Sequence, residues 1–113
     1  MPLTKVGSEQ TIVSRVAERH NPTAMAVRRR LMISGRVQGV FFRGAMRERA
    51  RAAGVAGWAR NLPDGTVEAV LEGEPEAVAG IVEFARSGPR HARVDGVDVS
   101  DEPPDGLTGF ESR

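Results

Sequence analysis

Cysteine is absent from the 113 residues, which excludes disulfides, thiolate metal sites and cysteine-phosphatase chemistry. No apolar run approaches the roughly 18 residues of a membrane span, and no signal-peptide h-region opens the sequence. Tyrosine is missing too, and one Trp with four Phe is a thin aromatic supply. Lysine is almost missing: fifteen of the sixteen basic residues are arginine, whose rigid fork suits phosphate and carboxylate better than a point charge does. The two histidines, His20 and His91, fall in the first segment and in a loop, and read as solvent-exposed. What is present looks globular. A hydrophobic content of 40% with 27% charged residues argues against disorder, and the length fits one domain with a modest core. The expectation is a soluble, thiol-free protein suited to the cytoplasm.

The net charge of +1 hides a division. Residues 1–60 carry twelve basic side chains against three acids, Glu9, Glu18 and Glu48, while residues 61–113 carry four against twelve. The first part is therefore at +9 and the second at −8. Such a division fits arginines spread over solvated faces, and it also fits an anion-binding half once a specific site is found.

Residues 1–26 read as an extension, flexible or loosely docked. Ser8–His20 has the spacing of a short amphipathic helix, capped by Ser8 and stopped by Asn21-Pro22, but its apolar face of Ile12, Val13, Val16 and Ala17 is thin. Met25 offers an alternative start. From Val27 the pattern sharpens into a domain over 27–113. Val27, Leu31 and Ile33 alternate with Arg28, Arg30 and Ser34 as in a half-buried strand. Gly35 to Phe41 reads as a loop. The spacing then predicts a helix over Phe42–Ala53 stopped by Gly54. Val55–Asn61 and Thr66–Glu72 form a hairpin across Leu62-Pro63-Asp64-Gly65, where Pro fixes one φ and Gly permits a positive one. Pro75 opens a second helix with Val78, Ile81, Val82 and Ala85 on one face, ended by Gly88-Pro89. Val94, Val97 and Val99 predict a fourth strand, Asp101–Gly109 an acidic loop, and Phe110–Arg113 a short edge strand. The order βαββαβ predicts an α+β, ferredoxin-like sandwich: an antiparallel sheet with two helices on one face.

The segment Gly35-Arg36-Val37-Gln38-Gly39-Val40-Phe41-Phe42-Arg43 leads from a strand into a helix. Unpaired N–H groups and the positive end of the helix dipole there favour an anion. Gly35 and Gly39 allow the positive φ of a backbone cradle, and Arg43 in the first turn can pair with two phosphate oxygens. No Lys-Ser/Thr pair follows the glycines, so the loop is not a Walker A motif. The same residues also read as an ordinary glycine-containing connection with a surface arginine. Gln38 can brace the loop through its amide, and Phe41 and Phe42 read as core or loop-edge residues rather than substrate contacts.

This segment resembles the first acylphosphatase signature, a Val-Gln-Gly-Val stretch leading to an aromatic residue and an arginine. Gly57-Trp58-Ala59-Arg60-Asn61-Leu62-Pro63-Asp64-Gly65-Thr66-Val67, followed by Gly73, is similar to the second. Two signatures in order are far more specific than one, and the likeness spans residues 27–113. It implies a ferredoxin-like fold and metal-free, cofactor-free hydrolysis of a small-molecule acyl phosphate to carboxylate and phosphate. By the resemblance, the amides of Val37, Gln38, Gly39, Val40, Phe41 and Phe42 bind the phosphate with Arg43, and Asn61 orients the attacking water. Inorganic phosphate, sulfate or chloride would occupy the same place, and the protein would act as a monomer without nucleic acid or membrane. Two departures stand out: the 26-residue extension, and an ending in Phe110-Glu111-Ser112-Arg113 where several relatives end in an aromatic residue.

Read alone, Asn61 is a turn-capping residue, and only beside Arg43 does it become a group that positions water; Asp64 belongs to the Pro-Asp-Gly turn. An amide can hold a water but cannot act as a general base at pH 7. Two non-catalytic classes share the element order. One is an anion- or carbamoyl-phosphate-binding domain without turnover. The other is an RNA-binding module, which would need stacking aromatics where the third strand has Glu68 and Glu72.

Overall fold

The computed structural model describes residues 26–113; the expected Ser8–His20 helix lies outside the described residues. Strand β1 (Val27–Arg36) leads into helix α1 (Phe42–Ala53), then strands β2 (Ala56–Asn61) and β3 (Val67–Gly73). Helix α2 (Pro75–Ser87), strand β4 (Arg93–Glu102) and a short β5 (Phe110–Ser112) follow. The sheet order is β4-β1-β3-β2-β5. The four long strands pair antiparallel, as the sequence pattern requires of a ferredoxin-like sandwich. The short fifth strand is the exception to the expected antiparallel sheet: it joins β2 in parallel, Gly57 opposite Phe110.

Both helices pack on one face of this sheet. Phe42, Met46 and Ala50 of α1 and Val78, Ile81, Val82 and Ala85 of α2 meet Leu31, Ile33, Ala59, Val67, Ala69 and Leu71 from the strands. Spacings of three and four residues put each helix stripe on one side, and spacings of two do the same for the strands. Burying each large apolar side chain here contributes about 1.5–3 kcal/mol. Gly54, at φ 72°, closes α1 by donating its N–H to the carbonyls of Ala50 and Arg51.

Two boundaries differ from the sequence expectation by more than one residue. β1 runs through Gly35 and Arg36 instead of stopping before them, because a bulge between Ser34 and Gly35 keeps the ladder going. β4 likewise runs on through Asp101 and Glu102, which the composition assigned to a loop. Cross-strand charge keeps them in the sheet: Asp101 pairs with Arg29 at 2.7 Å, and Glu102 receives Arg28 at 2.9 Å and Arg30 at 2.5 Å.

The sheet face away from the helices is covered by its own charges. Glu68 and Glu72 are buried, not solvated. Glu68 binds Arg30 and, at 2.6 Å, Arg60. Arg28 bridges Glu72 and Glu102. Arg30, Arg60 and Arg113 stack over the Trp58 ring at 5.7, 5.3 and 4.7 Å from its centre. Val70, opposite Arg30 and Trp58, is fully buried beneath this layer.

Candidate active site

The β1–α1 connection forms the site. Gly39 adopts φ 75° and Phe41 φ 63°, the left-handed steps that let successive N–H groups form an anion-binding concavity. No side chain caps that helix, and its first turn holds no acidic residue. Among the described residues, the N–H groups of residues 37–41 donate to no other main-chain group. An anion there completes the unmet donors and meets the positive end of the dipole.

Gln38 ties this loop to the β2–β3 turn. Its Nε2 donates to the carbonyls of Leu62 at 2.8 Å and Thr66 at 3.0 Å. The turn is closed independently: Leu62 N–H reaches Thr66 O at 2.9 Å, and Gly65 N–H reaches Leu62 O at 3.1 Å. Asp64 accepts from the Thr66 hydroxyl at 2.6 Å and the Thr66 N–H at 3.0 Å, which hold its carboxyl below the usual carboxylate range. Asp64 is thus the residue that caps the turn. The Asn61 carboxamide makes no hydrogen bond among the described residues, and it faces a cleft of about 230 Å³ that Arg43 also lines.

Val37, Gly39, Phe41, Phe42, Arg43 and Asn61 all line this cleft, so the structure brings together six of the residues singled out from sequence. Gln38 and Val40 do not line it. The Gln38 side chain is spent on the turn, and Val40 packs against the core. Phe42 is buried at the start of α1, whereas Phe41 stands at the rim, exposed. Arg43 donates from Nη1 to the main-chain oxygen of Arg113, so the residue that follows β5 steadies its guanidinium beside the cleft. His91 is exposed in a loop, apart from the site.

Sequence reasoning missed Arg47 and Ser112, which also line the cleft. Arg47 lies one turn beyond Arg43, and its i+4 spacing was the signal available for it. Ser112 carried none, because only the parallel pairing of β5 beside β2 brings it there. Together these groups form a positively charged, donor-rich notch with one neutral amide at its side. That is a set for holding a phosphoryl group and a water, with no thiol, imidazole or carboxylate nucleophile among the lining residues.

Residues 29–112 match the family model described as Acylphosphatase. The chain is 60% identical over 85 residues to an acylphosphatase of Rubrobacter xylanophilus, covering 74% of this chain and 77% of that one. It is 54% identical over 88 residues to an acylphosphatase of Gloeobacter violaceus, covering 78% and 95%. Among solved structures, an acylphosphatase from Coxiella burnetii superposes with TM-score 0.78 at 32% identity, covering 81% of this chain and 97% of that one.

Proposed function

The chain belongs to the acylphosphatase family, and from that premise we propose that its β1–α1 cleft hydrolyses the carboxyl–phosphate bond of acyl phosphates. The observation that carries the reading is one cleft lined by Arg43, by the uncapped start of α1 and by an Asn61 free of the turn beside it.

In this reading the phosphoryl oxygens sit among the N–H groups of residues 37–42, with the Arg43 fork on two of them. Asn61 accepts a hydrogen bond from a water and directs it at phosphorus. The water oxygen forms a new P–O bond as the bond to the acyl oxygen breaks. The electron pair leaves with the carboxylate, and the substrate's own phosphate takes the water proton. A carboxylate is a good leaving group, so no general acid is required. Phosphoryl transfer proceeds through a loose transition state in which positioning and charge stabilisation dominate. Holding water and phosphorus in line is worth up to about 7–11 kcal/mol in favourable cases.

The described residues contain no group of three or more His, Asp or Glu able to hold a metal ion, and the proposed chemistry uses arginine and amides. Inorganic phosphate, sulfate or chloride would bind in the same notch. No described helix is long and apolar enough to cross a membrane. We read the protein as cytoplasmic and as a monomer, and the charge-covered open face of the sheet supports the second reading. The RNA-binding alternative is not favoured, because the Trp58 ring on the open face of the sheet is already stacked by three arginines and offers bases no bare surface there.

Purified protein is expected to release phosphate from benzoyl phosphate steadily, at the same rate with or without EDTA. Binding of phosphate without turnover would leave an anion-binding domain instead. Loss of activity in EDTA with recovery on adding Mg²⁺ would overturn the metal-free chemistry.

A further inference from the structure

Phe41 carries two costs that a phosphate cradle does not explain. Its φ of 63° is the one positive value among the described non-glycine residues, and a left-handed residue bearing a Cβ costs about 1 kcal/mol or more. The cradle demands that conformation, yet Gly39 meets the same demand with no Cβ to strain. The ring is also 62% exposed, the one large hydrophobic side chain left in solvent among the described residues. Burial therefore does not offset the strain, and a glycine would have formed the cradle at lower cost.

The ring has a defined seat. A Cβ added at Gly44 would lie 2.1 Å from its Cε1, so the bare Gly44 backbone makes room for the ring against the first turn of α1. Phe41 also lines two hollows at once. One is the phosphate cleft, shared with Arg43 and Asn61. The other, an open hollow of about 600 Å³, continues over Ala45, Phe84 and Pro89, with Glu48, Arg49 and Arg90 at its charged edges. A molecule anchored in the cleft by its phosphate and extending toward that second hollow passes over the Phe41 ring.

We propose that the Phe41 ring is the platform for the acyl group of the substrate, so that the site prefers flat aromatic or apolar acyl phosphates to small ones. The inference rests on the acyl-phosphate reading of the cleft. A ring stacked in an offset or edge-on geometry adds to simple area burial, and its loss corresponds to about tenfold in affinity. The backbone of residue 41 serves any acyl phosphate, so the telling quantity is the ratio between two substrates.

The experiment compares kcat/KM for benzoyl phosphate and acetyl phosphate in the full-length protein, Phe41→Ala and Phe41→Leu, with a thermal melt on each. The ratio of benzoyl to acetyl phosphate is expected to fall about tenfold in Phe41→Ala. In Phe41→Leu, which keeps apolar bulk without the flat face, it should fall less. Equal losses on both substrates, an unmoved ratio, or an unaltered protein that cleaves acetyl but not benzoyl phosphate would each overturn the platform and leave the enzyme reading standing. An unaltered protein that cleaves neither substrate brings down that reading as well.

Discussion

Arg43 and Asn61 share a cleft, but their chemistry predicts different failures. Arg43 meets the phosphoryl group both on binding and as charge develops, so Arg43→Ala should weaken inhibition by inorganic phosphate and also lower kcat. A loss of about 10²–10³ in kcat is the scale seen when one such donor is removed. Arg43→Lys should recover little, because an ammonium cannot reproduce the fork that spans two oxygens and reaches the main-chain oxygen of Arg113. Asn61 acts on water alone, so Asn61→Ala should collapse kcat while phosphate inhibits with unchanged affinity. Its carboxamide makes no hydrogen bond among the described residues and Asp64 holds the turn, so the stability cost should stay within about 1 kcal/mol. Kinetics, phosphate inhibition and melting on the same preparations test both assignments. A folded and fully active Asn61→Ala protein would remove Asn61 from the mechanism.

Strands and helices were legible wherever the apolar spacing is local. Met46 and Ala50 follow Phe42 by one and two turns, and Val67, Ala69 and Leu71 alternate along β3, so their buried faces could be read directly. The two segments that line the cleft were singled out for another reason, their likeness to two short family signatures, since Asn61 read alone is a turn cap and Gly35 to Arg43 also reads as an ordinary connection. The direction of β5 was not legible, because a three-residue strand has no pattern that separates parallel from antiparallel. Nor was the ion-pair layer, whose partners Arg28 and Glu102 lie 74 residues apart and meet only through the β1–β4 register. Glu72 anchors that layer. Burial pushes its carboxyl up, but the N–H groups of Asp105, Leu107 and Gly106 and the Arg28 guanidinium outweigh it and hold the pKa below the usual glutamate value. Glu102 is lowered too, by hydrogen bonds from Arg30 and Arg28. A lowered carboxylate contributes stability above its unfolded pKa and loses it as pH falls through the folded one. Melting temperature should therefore be flat through neutral pH and fall below about pH 4.3, the ordinary glutamate value. Glu72→Gln should shallow that acid limb and cost about 2 kcal/mol at pH 7, since one amide oxygen replaces a charged acceptor of three N–H groups. An acid limb identical in both proteins would show that Glu72 does not carry it.

The whole chain raises the question of what residues 1–24 contribute. Every buried apolar residue of the described core lies between Leu31 and Phe110, and β1, the first strand of the sheet, begins at Val27. Both halves of the cleft also lie beyond that point, on the β1–α1 loop and at the end of β2. Two of the relatives point the same way. An 88-residue alignment spans 95% of the Gloeobacter violaceus protein, and the matched part spans 97% of the Coxiella burnetii structure. Those proteins consist almost wholly of the part that this chain matches. A chain starting at Met25 should therefore unfold cooperatively and hydrolyse benzoyl phosphate with kcat/KM close to that of the full chain. For a domain of this size, 1 kcal/mol shifts the melting temperature by roughly 4–8 °C. A drop larger than about 8 °C would thus mean that residues 1–24 supply more than about 1 kcal/mol of packing on the domain. A large fall in kcat/KM at an unchanged melting temperature would mean instead that they act at the cleft.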